Sequence, residues 1–242
     1  MPKWFESWFD TKYYHLLYNN RDEAEAEQFI KNLCTFLKLP QGADVADVAC
    51  GKGRHSRVLA SLGYHVLGLD ISPASIEYAI SQAGPHEQYA VHDMRKPFPA
   101  VQIDAAFNLF TSFGYFDTEA EDLSALENVL HSLKPGGVFV QDYLNPAYTL
   151  SNLKAEETVV RGDISFEIHR YEQDGSVKKD IRVKQGMETH AFQESVKLYS
   201  AEDFKRLHTN AGFRVLNTFG DYSLNPFNEK SSPRIILVSE KP

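Results

Sequence analysis

Cysteine is scarce: Cys34 and Cys50 are the two the chain has. They are too few for a disulfide framework and not spaced as a metal knuckle, so a reducing compartment is expected and structural zinc is not. Long apolar runs are missing as well. No stretch approaches the roughly 20 residues that span a bilayer, and the start, MPKWFESWFD, lacks the basic region and apolar run of a signal peptide. A cytoplasmic protein with no membrane partner is the expectation. Net positive charge is absent too: 25 Lys and Arg stand against 33 Asp and Glu, a formal charge of −8. That balance gives no global attraction to a polyanion, so nucleic acid is not the expected substrate. The one basic stretch, VKKDIRVK, reads as the solvated face of a strand.

What is present suits one sizeable globular domain with an embellishment: 242 residues, 43% hydrophobic and 24% charged, with no repeat and no low-complexity segment. The aromatic-rich start and the apolar spacing of Ala24, Phe29, Ile30, Leu33, Phe36 and Leu37 predict two N-terminal helices over residues 1–40. Residues 41–150 then alternate strand and helix. ADVADVA is a short buried strand, Gly53 to Leu62 a helix, YHVLGLD a strand, and Ser72 with Pro73 opens the next helix. QYAVHD, IDAAFNLF and GVFVQDYL read as further strands, which predicts an α/β, doubly wound parallel sheet with ligands at the carboxyl ends of its strands. The period changes to two over residues 155–199, with a hairpin signal at Asp174 and Gly175, predicting an inserted antiparallel meander of about three strands. Residues 200–242 supply a helix capped by Ser200 and Asp203 and stopped by Gly212, then two closing strands.

The loop DVACGKGRHS, residues 47–56, follows the first strand. A phosphate loop would need an earlier glycine and a hydroxyl after Gly-Lys; Gly53 stands where the hydroxyl should be. A dinucleotide fingerprint would need a third glycine where Ser56 stands. An NAD(P)-dependent oxidoreductase therefore stays only as an alternative. Cys50 fits a small buried slot between strand and helix. Asp47 is more informative. A carboxylate at a buried strand end must accept backbone amides or meet a cationic ligand, and a pyrophosphate would avoid it.

Asp47, Ala49, Gly51 and Gly53 resemble the first motif of the class I S-adenosylmethionine-dependent methyltransferases, an acid followed by a small residue and two spaced glycines. The resemblance continues in order. GLDIS places Asp70 where that family binds both ribose hydroxyls and Ile71 beside the adenine; HDMR places Asp93 and Met94 at the adenine amine and ring. Asn108 and Leu109 open the loop that meets the ligand's amino group, and LKPGGVFVQDYLN matches the turn and fifth strand. The family implies a Rossmann-like, seven-stranded, mostly parallel sheet with helices on both faces, and S-adenosyl-L-methionine as cofactor. One carboxylate can hold two ribose hydroxyls, and an exocyclic amine seeks an acceptor. A cation at a helix start needs an acidic partner, for which the ligand's carboxylate is the natural choice at Arg54. His55 divides evenly between gripping that end and packing.

The family's chemistry is an in-line displacement in which alignment and desolvation do most of the work. Its acceptor site lies above TSFGYFD, where Ser112 and Tyr115 are acceptor-pocket candidates and a small organic acceptor, methylated on N or O, is expected. Asn145 begins NPAY, which resembles an amine-gripping Asn-Pro-Pro-Tyr motif but follows the wrong strand and lacks the second proline. Ending a strand and starting a helix is its better reading, with Asn145 lining the pocket mouth. Tyr14 is the aromatic expected to cover the cofactor from an N-terminal lid. His169 lies on the meander, which resembles a layer that small-molecule members place over the active site or use to form a homodimer. A non-catalytic cofactor-binding module has the same cofactor residues and also stays open.

Overall fold

The computed structural model describes residues 3–18, 23–99 and 102–242. Its start differs from the sequence reading. The aromatic segment breaks into α1 (Trp4–Trp8) and α2 (Lys12–Leu17), so that with α3 (Glu23–Leu37) three helices precede the first strand among the described residues. The break has a local cause: the Thr11 hydroxyl accepts from the Tyr14 amide and caps α2, stopping α1 from running on.

The α/β body runs β1 (Asp44–Val48), α4 (Arg54–Ser61), β2 (His65–Asp70), α5 (Pro73–Ser81), β3 (Glu87–Val91), β4 (Ile103–Asn108), α6 (Glu119–Ser132) and β5 (Leu133–Leu144). Then come α7 (Pro146–Ser151), the meander β6 (Glu156–Arg161), β7 (Ile164–Gln173), β8 (Ser176–Gln185) and β9 (Glu188–Lys197), and α8 (Ala201–Ala211), β10 (Arg214–Phe219) and β11 (Arg234–Glu240). The seven-stranded sheet has the order β10-β11-β5-β4-β1-β2-β3, parallel except where β11 runs against both neighbours. Val45 to Val48 are all buried, as a central parallel strand covered on both faces requires. One face packs on α3 and α4 through Phe29, Ile30, Leu33 and Leu59, the other on α6 and α8 through Leu126, Val129, Phe204 and Leu207.

The meander has four strands, not three. Asp174 and Gly175 both take positive φ, 53° and 67°, as a tight two-residue hairpin needs. Its inner face, Ile164, Phe166, Ile168, Ile181 and Val183, packs on Trp8, Tyr13 and Leu17, so α1 and α2 are wedged between the meander and the parallel sheet. VKKDIRVK is not wholly a solvated face: Lys179 is mostly buried and paired with Glu194. No helix among the described residues is long and apolar enough to cross a membrane.

One polar group is sealed inside the second helix layer. His208 is fully buried between Gln141 Oε1 (2.7 Å) and Ser239 Oγ (2.8 Å), and burial lowers its pKa to about 3. Because Oε1 can only accept, Nε2 carries the ring proton and Nδ1 accepts from the serine. A depressed histidine pKa contributes stability that is complete above the unfolded value near 6.5 and lost as pH falls toward the folded one. Relative to His208→Gln, the wild-type chain should lose about 2 kcal/mol of unfolding free energy between pH 7 and pH 5. Urea titrations of both proteins at the two pH values measure this; parallel pH profiles would rule it out.

Candidate active site

Between β1 and α4 the backbone turns through three left-handed residues, Ala49 (φ 61°), Gly51 (54°) and Gly53 (76°). The two glycines serve different ends. A Cβ on Gly51 would meet nothing within 4 Å, so the loop there is open to the adjoining cavity, whereas a Cβ on Gly53 would fall 2.5 Å from the Tyr89 hydroxyl. Gly51 keeps space for a ligand; Gly53 keeps space for Tyr89, whose ring also needs Gly68 beneath it. The Gly51 amide donates to Asp70 Oδ2 (2.7 Å) and the Ser72 amide to Asp70 Oδ1 (2.8 Å). One carboxylate thus fixes the loops after β1 and β2 together. Burial raises its pKa while these backbone donors oppose the rise.

A cavity of about 340 Å³ lies over this junction. Ala49, Gly51, Arg54, Asp70, Ile71, Asp93, Met94 and Leu109 line it, as do Tyr14, Ser112 and Tyr115. Those residues the structure brings together. Four others it does not. Asp47 is 1% exposed beneath the loop, where its Oδ2 accepts from Ser56 Oγ (2.6 Å). It ties α4 to β1 and does not line the cavity; the position that would be the third glycine of a dinucleotide loop is thus filled by the serine this acid needs. Gly53 is likewise spent on packing, as the N-cap of α4. Asn145 is buried with its amide donating to the carbonyls of Glu229 and Ser232, both at 2.7 Å, and holds the loop between β10 and β11. His169 is exposed on the outer face of the meander, because the period-two alternation that sends Phe166 and Ile168 inward turns it outward.

Asn108 is intermediate. Its side chain is buried and donates to the carbonyls of Val48 (3.0 Å) and Ser112 (3.1 Å), joining β1 to the loop after β4 while only Leu109 reaches the cavity. Asp93 does reach it, but Arg95 already grips both carboxylate oxygens and continues to Glu121 (2.9 Å). A further donor would have to share Asp93 with that guanidinium, a partner the sequence reading did not assign. Cys50 is buried as expected, its thiol pKa pushed up by burial and by Asp47.

The sequence reading did not assign several wall residues: Phe5 and Phe9 near α1 and Phe110 after β4 line the cavity, as do His15 of α2 and its C-cap Tyr18, which stand in the same aromatic run as Tyr14. The aromatic density of WFESWFD was the signal for Phe5 and Phe9, and that of KYYHLLY for His15 and Tyr18, although periodicity alone could not aim the rings. Burial and the nearby Lys52 lower the His15 pKa to about 4, so its ring is neutral. Ser112 Oγ donates to the Leu109 carbonyl (2.9 Å) and the Tyr115 hydroxyl donates to the Thr111 carbonyl. Both hydroxyls thus spend their protons on the loop's own carbonyls.

A family model described as a methyltransferase domain matches residues 45–137. A dTDP-3-amino-3,6-dideoxy-alpha-D-glucopyranose N,N-dimethyltransferase of Streptomyces fradiae is 27% identical over 184 residues, 73% of this chain and 72% of that one. Among solved structures, an S-adenosylmethionine-dependent methyltransferase from Clostridium acetobutylicum superposes with a TM-score of 0.80 at 20% identity, covering 94% of this chain and 95% of its own. An amino pentose methyltransferase from Micromonospora echinaspora, solved with the cofactor bound, gives 0.71 at 21% identity over 96% and 98%.

The burial of Asp47 has a measurable cost. Burial pushes its pKa up to about 6 against the partial relief given by Ser56. A raised carboxyl pKa contributes its stability below the unfolded value and loses it as pH rises through the folded one. Asp47→Asn should therefore gain about 2 kcal/mol on the wild-type chain between pH 4 and pH 6, and hold a nearly constant advantage above pH 7. Chemical denaturation across this range checks it; a gain independent of pH would contradict it.

Proposed function

The chain belongs to the class I S-adenosylmethionine-dependent methyltransferases, and from that premise we propose that it methylates an N or O atom of a small molecule held in the cavity over Asp70. Bound there, S-adenosylmethionine supplies a sulfonium methyl for in-line displacement. The cavity fits it: Gly51 leaves space, Asp70 offers a carboxylate to a ribose diol, and Arg54 offers a cation to an amino-acid carboxylate. Asp93, shared with Arg95, and Met94 flank the adenine, and the Leu109 carbonyl takes the ligand's amino group.

The observation that carries the acceptor class is the roof. Phe5 and Phe9, with Tyr14 and Tyr18, close the far side of the cavity, and the meander backs them through Trp8 and Tyr13. A polymer chain would have to displace that packed layer, whereas a small ring fits beneath it. Ser112 and Tyr115 line this cavity, and a hydroxyl oxygen can accept a hydrogen bond from a methyl acceptor that presents an N–H or O–H. The aromatic wall limits water around the reacting atoms. The Streptomyces fradiae and Micromonospora echinaspora relatives, named for amino sugars, support the same class. The outer face and open β6 edge of the meander, where Val160 is 60% exposed, support a homodimer through this layer.

Labelled methyl donor added with a small-metabolite pool should mark a low-mass product; label confined to a protein or RNA fraction would refute the acceptor class. Within the cofactor site, Asp70→Ala should weaken S-adenosylhomocysteine by about tenfold or more. Arg54→Ala should weaken it selectively, leaving 5′-methylthioadenosine, which lacks the amino-acid end, within about twofold of wild type. Calorimetry measures both, and a loss shared equally by the two nucleosides would remove Arg54 from the methionine end.

A further inference from the structure

Phe110 and Thr111 are successive side-chain-bearing residues in the left-handed region, each with φ 64°. Such a pair does not persist unaided, and what enforces it lies behind the cavity wall. The Phe110 amide donates to Asp142 Oδ2 (2.8 Å) and the Thr111 amide to the Asp142 carbonyl (3.0 Å). Arg234 closes the arrangement, with Nε on Asp142 Oδ1 (2.7 Å) and Nη2 on Thr111 Oγ1 (2.9 Å). Tyr222 adds its hydroxyl to Oδ2 at 3.3 Å. Asp142 is fully buried, and neither it nor Arg234 lines the cavity.

The clamp reaches the cavity through one ring. Phe110 lies between two guanidinium groups, Arg54 at 5.0 Å and Arg234 at 5.9 Å from its centroid, with the His55 ring 6.3 Å away. Leu109 and Ser112, on either side of the strained pair, line the same wall. Moving Phe110 would move the Leu109 carbonyl and the face on which Arg54 rests.

We propose that Asp142 and Arg234 are a positioning pair that sets the methionine end of the cofactor site by holding Phe110 and Thr111 in their left-handed turn. Neither touches the ligand; both act through the loop. The pair also couples the site to the antiparallel closing strand, since Asp142 sits on β5 and Arg234 begins β11. The inference rests on the placement of the methionine end at Arg54 and Leu109 given above.

The test compares S-adenosylhomocysteine with 5′-methylthioadenosine on Asp142→Asn and Arg234→Lys. S-adenosylhomocysteine should bind about tenfold more weakly or worse, the scale of one charge-assisted hydrogen bond, while 5′-methylthioadenosine stays within about twofold. A purely structural role would weaken both alike. Thermal midpoints establish that each variant is folded, and Thr111→Val, which removes only the hydroxyl acceptor of Arg234, reports in the same way should Asp142→Asn not fold. An equal loss for both nucleosides, or unchanged S-adenosylhomocysteine binding, overturns the proposal. If Arg54→Ala shows the selective loss and the clamp variants do not, only the clamp fails; if neither does, the placement of the methionine end fails with it.

Discussion

The Asp70 carboxylate is the junction on which the site depends. It accepts the Gly51 amide on one oxygen and the Ser72 amide on the other, so the loops that leave β1 and β2 share one anion. A carboxylate buried this far needs such donors, and each loop needs a partner for an amide that no strand can satisfy. The N-terminal segment joins the same junction one step out: Asp10 Oδ1 accepts from Ser72 Oγ (2.6 Å) and from the Ala74 amide (3.0 Å) at the start of α5. The cavity floor at Asp70 and the docking of the N-terminal segment are therefore built on adjacent residues.

The meander is attached by a second buried carboxylate. Asp122 of α6 accepts from Tyr199 (2.7 Å) and Lys197 (2.5 Å), and Tyr143 of β5 donates to the Lys197 carbonyl (2.6 Å). These contacts pin the end of β9 to the body beside Gly114, whose carbonyl accepts the Lys197 amide. A Cβ at Gly114 would lie 2.3 Å from the Tyr143 hydroxyl, so the glycine is required by that attachment. The inserted layer can then act as a fixed back-stop for α1 and α2: the Trp8 indole and the Tyr18 hydroxyl both reach Glu194 on β9 at 2.7 Å.

Local rules made much of this legible in advance. Ser72 with Pro73, Ser200 with Asp203, Gly212, and Asp174 with Gly175 each stand where the local chemistry puts them, because caps and tight turns are decided within a few residues. The fourth meander strand was legible but not read: Gly162 with Asp163 is a Gly-first two-residue hairpin pair between β6 and β7. At the site, ordered spacing identified the loops that meet, but not which side of a loop each side chain takes. Asp47, next to the last residue of β1, and Asp70, the last of β2, pair with Phe107 and Val91, yet one turns under the loop to Ser56 and the other lines the cavity. That choice is tertiary. Arg95 on Asp93 and Arg234 on Asp142 were hidden for the same reason: both acids needed partners, and sequence could not say which cations reach them.

Strain is distributed with the same logic. Among the described residues Ala49, Phe110 and Thr111 combine positive φ with a place on, or next to, the cavity wall, at a typical cost of about 1–3 kcal/mol each. Ala49 sits in the loop bound to Asp70, and the other two in the loop bound to Asp142. In both cases a buried carboxylate receives backbone amides from a loop that would otherwise relax, one acid on each side of the point where β4 and β1 lie together. The parallel sheet supplies β2 and β5, and the antiparallel β11 supplies Arg234, whose Nε holds the second acid in place. β11 is thus more than a link between β10 and β5: through Arg234 it bonds both Asp142 and Thr111, and so braces the loop after β4.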